Sequence, residues 1–180
     1  MIRRLVATAL AVLVVVAAAS GCTPEATPTP TSTAPTFATE EEAFAAAEAT
    51  YRAYVDALNQ VDLSDPETFE AVYALTTGDQ NAADRSSFSE WHAEGIAMTG
   101  NAVVSSAQLE DVSGLRNGDL EVGMLVCYDV SAVDVVDSSG QTLVSEDRPS
   151  IQPLRVEVVA TKNGLGIALI ENADGAISCD

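Results

Sequence analysis

The spacing of apolar residues changes character once along this chain, at Gly95, and that change limits the folds open to it. Before Gly95 the apolar residues recur every three or four positions. Phe44, Ala47, Tyr51, Tyr54, Val55 and Leu58 mark one face of a helix, opened by the capping-box arrangement Thr39-Glu40-Glu41-Glu42 and running to about Asn59. Asp65-Pro66 repeats the start signal, with Phe69, Val72, Tyr73 and Leu75 behind it and Gly78 as the expected end. A third helix is expected over about 79–94, carrying Ala82, Ala83, Phe88 and Trp91. After Gly95, β-branched runs broken by turn residues predict strands over about 102–111, 120–136, 141–144, 154–161 and 166–171. Asn117-Gly118, Ser139-Gly140 and Asn163-Gly164 suit tight turns, so consecutive strands should pair as antiparallel hairpins. The stretch 120–136 is long for one flat strand and should bend or bulge near Ser131. Helices first and a meandering sheet second predict an α+β domain, its N-terminal helices packed on a curved antiparallel sheet.

With 180 residues and 47% apolar content the chain can build one core. Eight Lys plus Arg stand against 27 Asp plus Glu, a formal net charge of −19. A field of that sign repels phosphate backbones, so no nucleic-acid partner is expected. It would attract cationic partners, or simply keep the domain soluble.

The first residues carry a different message. Met1-Ile2-Arg3-Arg4 is basic, and Leu5 to Ala19 follows without a charge, which is the anatomy of a signal peptide over residues 1–21. The run is shorter than the roughly 20 apolar residues a membrane-spanning helix needs. The small residues Ala19-Ser20-Gly21 then lead into Cys22, a segment that resembles the lipobox of bacterial lipoproteins. The resemblance implies cleavage before Cys22 and a diacylglycerol on its thiol. Ala19 stands where that family usually has Leu, and ordinary secretory cleavage at the same small residues is the alternative. Two acyl chains, at about 0.8 kcal/mol per buried methylene, would anchor the chain on the outer face of the cytoplasmic membrane.

Residues 22–38 read as a tether, with Pro24, Pro28, Pro30 and Pro35 set among threonines, and the globular domain is expected over 39–180. If Cys22 carries lipid, Cys127 and Cys179 remain as an even pair in an oxidising compartment and should form a disulfide; two separate buried thiols are the alternative.

The segments CYDVSAVDVVDSSG and DRPSIQPLRVEVV with the late cysteine resemble the secreted nuclear-transport-factor-2-like domains of actinobacterial lipoproteins. That resemblance implies a cone-like fold in which a curved sheet wraps a helix and leaves a pocket. Tyr51, Tyr54, Tyr73, Trp91 and Tyr128 are candidates for its lining, with core packing as the alternative, and Asp56 on the first helix is a candidate carboxylate. Catalytic chemistry is otherwise sparse. His92 is the single histidine and reads as a helix-surface residue. Asp129, Asp134 and Asp137 differ in strand parity and read as solvated sheet-face acids rather than calcium ligands. Gly114, Gly118 and Gly123 lack the following helix a phosphate loop requires. Arg148 and Arg155 are expected against carboxylates. No metal, cofactor or catalytic residue is therefore assigned. The expectation is a surface lipoprotein that binds an unidentified ligand or surface protein without catalysis; the alternative is a lipid-anchored enzyme of isomerase or cyclase type using a pocket carboxylate.

Overall fold

Thr39 is extended, and its side chain accepts a hydrogen bond from the Glu42 amide, so the first helix starts where the capping box places it. In the computed structural model, which describes residues 34–116 and 118–179, this helix is α1 (Glu40–Leu58). Cys22 and the predicted signal peptide lie outside the described residues, as does most of the predicted tether. Asp65 caps a short 3₁₀ turn over Pro66–Phe69 that runs into the single-turn α2 (Glu70–Tyr73). The second helical stretch therefore ends before the residue expected to stop it. Gly78 instead opens α3 (Gly78–Glu94), with a positive φ that a glycine adopts without penalty. Gly95 closes α3 in the left-handed conformation.

Beyond Gly95 the backbone becomes strand. The main sheet holds β2 (Val103–Ser113), β3 (Glu121–Asp129), β5 (Ile151–Thr161) and β6 (Gly164–Asn172), antiparallel throughout in the order β2-β3-β5-β6. A second, two-stranded sheet pairs β1 (Ala97–Thr99) with β4 (Asp134–Val136). The predicted strand 120–136 breaks where a bend was expected, in a turn at Ser131 and Ala132, but its far end leaves the main sheet to pair with β1, which the spacing did not reveal. The predicted strand 141–144 contributes a single bridge between Thr142 and Val136.

The helices cover one face of the main sheet, and the domain is α+β without a closed barrel. Along β3, Val122, Met124 and Val126 point to the helices with the alternation a one-sided sheet demands, and Val156 and Val158 of β5 do the same. α1 meets them through Ala43, Ala47, Tyr51, Tyr54 and Val55, all buried. At the β6 edge the segment after α2 exchanges backbone bonds with the strand, Thr77 N–H to Ile167 O at 2.8 Å and Ile167 N–H to Leu75 O at 2.9 Å, so that edge is covered at Ile167.

Cys127 on β3 and Cys179 in the C-terminal tail form a disulfide with Cα atoms 5.6 Å apart. It closes a loop with a sequence separation of 52 and ties the tail to the central part of the sheet. The chain-entropy relation puts its contribution near 4 kcal/mol. Replacing both cysteines by alanine should lower the unfolding free energy by about that amount in urea titrations, and the loss should match that of the wild type treated with reductant.

Candidate functional site

Four structural layers enclose one cavity of about 300 Å³, at the small end of the range of roughly 300–1,000 Å³ for ligand pockets. α1 supplies Tyr51, Tyr54 and Leu58, and α3 supplies Asp84, Phe88 and Trp91. The small sheet and its flanks add Met98, Gly100 and Val133, and the main sheet adds Tyr128, Leu154 and Ile170. Tyr51, Tyr54, Trp91 and Tyr128 are thus brought together from helix and sheet around one space. Tyr73 is not among them: it packs on Phe69 and Phe88, under the guanidinium of Arg85 at 3.9 Å from its ring centre.

The polar groups of the wall fall into two kinds. Asn59, just past the end of α1, is fully used. Its Nδ2 donates to Ala102 O at 2.9 Å and its Oδ1 accepts from Ala102 N at 2.8 Å, so it pairs with the backbone entering β2 as another strand would. The tyrosine hydroxyls differ. Tyr54 donates a long hydrogen bond of 3.4 Å to Asp84 Oδ1. Among the described residues the hydroxyls of Tyr51 and Tyr128 make no hydrogen bond, and neither oxygen is sealed in the packing, because the one buried side-chain polar atom without a partner there is Asp84 Oδ2. Both phenols therefore reach the open space. Burial pushes the ionisation of Tyr51, Tyr54 and Tyr128 upward, so all three are neutral donors and acceptors at physiological pH.

Asp84 is the carboxylate that sequence reasoning missed. Asp56 is exposed and lies off this wall, whereas Asp84 is only 8% exposed. Gln80 holds it in place, with Nε2 donating to Asp84 Oδ1 at 2.9 Å and Oε1 accepting from the Ile170 amide of β6 at 3.0 Å. Burial drives the Asp84 pKa upward, and Gln80, Thr76 and Tyr54 offset only part of that. An aspartate four residues before Phe88 on a helix of weak amphipathic pattern gives no sign of being internal.

The remaining candidates serve structure. His92 is exposed and donates from Nδ1 to Leu63 O at 2.7 Å. Asp129 ends β3, Asp134 begins β4 and Asp137 follows it, and each turns its Oδ1 onto nearby donors, Asp129 on the Ser131 amide, Asp134 on the Val135 amide and the Thr142 hydroxyl, Asp137 on the Ser139 and Gln141 amides. Among the described residues no three His, Cys, Asp or Glu side chains gather as a metal site would require. Arg155 does meet carboxylates, Glu110 and Glu171. Arg148 does not; its guanidinium donates to the carbonyls of Val130 and Val133, at 3.0 and 2.6 Å. Those carbonyls belong to the break between β3 and β4, where Val130 O also accepts from the Val133 amide at 3.0 Å.

No protein-family model matches the chain, and no curated protein matches it. Solved structures resemble it at low identity. A periplasmic fragment of TraM shares 14% identity over 76% of this chain and 100% of that one, with a TM-score of 0.45. The intermembrane space region of the chloroplast protein ARC6 shares 15% over 70% and 92%, with a TM-score of 0.49. The periplasmic domain of DotI shares 12% over 76% and 98%, with a TM-score of 0.42. Superpositions this loose bear on neither ligand nor activity.

The raised pKa of Asp84 makes a signed prediction. Its contribution to stability is fully present below the ordinary carboxylate range, near pH 4, and is lost as pH rises through the raised folded-state value. Glu157, raised by its burial and by Glu121, acts in the same direction. Asp84→Asn should therefore flatten part of the fall in melting temperature between about pH 4 and pH 8, leaving the share due to Glu157, and should melt no lower than wild type at neutral pH. Thermal melts across that range provide the check.

Proposed function

We propose that this protein is a lipoprotein of the nuclear-transport-factor-2-like type, anchored through Cys22 on the outer face of the cytoplasmic membrane, which binds a small, mostly apolar molecule in its aromatic cavity and does not transform it. The anchoring rests on the lipobox resemblance at Cys22 and on the Cys127–Cys179 disulfide, which persists in oxidising compartments. The binding rests on a preformed cavity with apolar walls and a few converging polar groups.

The observation that carries the non-catalytic half is the state of Asp84. A general base must lie within hydrogen-bond reach of the proton it takes. Asp84 has its Oδ1 engaged by Gln80 and Tyr54 and its Oδ2 sealed in packing, so neither oxygen is offered to a molecule in the cavity. The same residue is what favours the second reading, an isomerase or cyclase, since a buried carboxylate of raised pKa on a pocket wall is the raw material of a general base. The two readings part on one comparison: under the binding reading Asp84→Asn retains ligand affinity within about twofold, and any turnover found is unchanged by it.

Two measurements test the proposal. Labelled fatty acid supplied to the cells should be incorporated into the wild type and not into Cys22→Ser, and label retained by the variant would refute the anchor. Val133→Trp fills the cavity from its half-buried sheet side and should lower affinity for apolar probes by at least tenfold, read from the emission of Trp91, the single tryptophan of the natural chain, with the variant's added indole subtracted by a ligand-free reference. Unchanged affinity would place binding elsewhere.

A further inference from the structure

The proposed cavity also carries information about its occupant. Three properties of its wall combine. It is built mainly from aromatic and aliphatic side chains. Among the described residues it includes no Lys, Arg or His, within a chain whose formal charge is −19. Its polar groups without a protein hydrogen bond among the described residues are the neutral phenols of Tyr51 and Tyr128, together with the Ser87 hydroxyl and the Trp91 indole N–H on the α3 side, and none of the four carries a charge. An anionic head group would enter a negative field with no cation to receive it. A cationic head group would need an exposed carboxylate oxygen, and Asp84 presents none: one oxygen is engaged and the other is sealed. A plain hydrocarbon would bury two phenol hydroxyls and leave both without hydrogen bonds, each such loss being costly.

We infer that the occupant is a neutral, largely apolar molecule with one hydrogen-bond-accepting oxygen of the carbonyl type, held between the hydroxyls of Tyr51 and Tyr128. The two groups come from different layers, α1 and β3, so a bound oxygen bridges helix and sheet. Tyr51 is 2% exposed and stacks beside Tyr54 with ring centres 5.9 Å apart, which fixes its ring and leaves the hydroxyl as its free end. This inference rests on the proposed binding function and specifies the ligand class for the same cavity.

The test uses residues 22–180, the chain left once the expected leader is removed, carrying Cys22→Ser, so that no detergent competes for apolar probes. Four probes of matched shape are titrated: butyrophenone, butylbenzene, phenylbutyrate and phenylbutylammonium. Binding is followed by the indole N–H resonance of Trp91, which lines the cavity. Butyrophenone should bind about thirtyfold more tightly than butylbenzene, the factor expected from two hydrogen bonds worth about 1 kcal/mol each that are otherwise left unmade. Both charged probes should bind more weakly than butylbenzene. Tyr51→Phe and Tyr128→Phe keep the rings and remove the hydroxyls. Each should reduce the preference for the ketone over the hydrocarbon, and the double variant should abolish it while butylbenzene affinity stays the same or improves. A ketone preference that survives the double variant would overturn the assignment, as would tightest binding of either charged probe, and in both cases the binding function itself would stand. Failure of all four probes to shift Trp91 would overturn that function and this inference with it.

Discussion

The fold depends on how α1 lies against the sheet. Its buried face begins with Ala43 and Ala47 and continues with Tyr51 and Tyr54. The separation of packed elements follows the size of the side chains between them. Methyl groups at the N-terminal half allow close approach, and two tyrosines at the C-terminal half hold the surfaces apart. The space so created would collapse if left to one helix. α3 closes it from the side with Phe88 and Trp91, and the aromatic contacts running from Tyr73 through Phe69 and Phe88 to Trp91 make that wall continuous. The cavity is therefore a consequence of side-chain size along one helix, framed by a second.

Its remaining wall comes from an interruption in the sheet. After Asp129 the chain turns out of the main sheet, and Val133 arrives at the cavity on the way to β4. Arg148 fixes that turn by donating to two of its carbonyls, and Gly100 admits it by lacking a side chain, since a Cβ there would fall 1.8 Å from Ala132 O. A strand that continued straight would have left the cavity open at this point. Asp84 belongs to the same frame. Buried at energetic cost, it is connected through Gln80 to the Ile170 amide and so positions α3 on the β6 edge.

Local chemistry made much of this legible in the sequence. The capping box at Thr39 and the Asp65-Pro66 start are short-range signals, and both helices begin where those residues place them. The α+β order followed from the change of periodicity at Gly95, and the antiparallel hairpins followed from the turn residues. What escaped were features decided by distant partners. β1 is three residues long and exists because β4 pairs with it, so no periodicity could announce it. Gly78 looks the same locally whether it ends one helix or begins the next. Tyr73 shares its helical spacing with the cavity tyrosines, yet its ring is turned toward Phe88 by tertiary packing. Asp84 sits on a helix whose apolar pattern is weak, and only the fold shows that its side chain is internal.

The central claim is that the space between α1, α3 and the sheet admits a neutral molecule whose oxygen meets two phenols. A crystal structure of the protein grown with butyrophenone would test it most directly. The account predicts the ketone in the cavity, its phenyl group against Phe88 and Trp91 and its oxygen within about 3 Å of the hydroxyls of Tyr51 and Tyr128. A ketone oriented away from both tyrosines, or side chains collapsed into the space so that nothing enters, would contradict it.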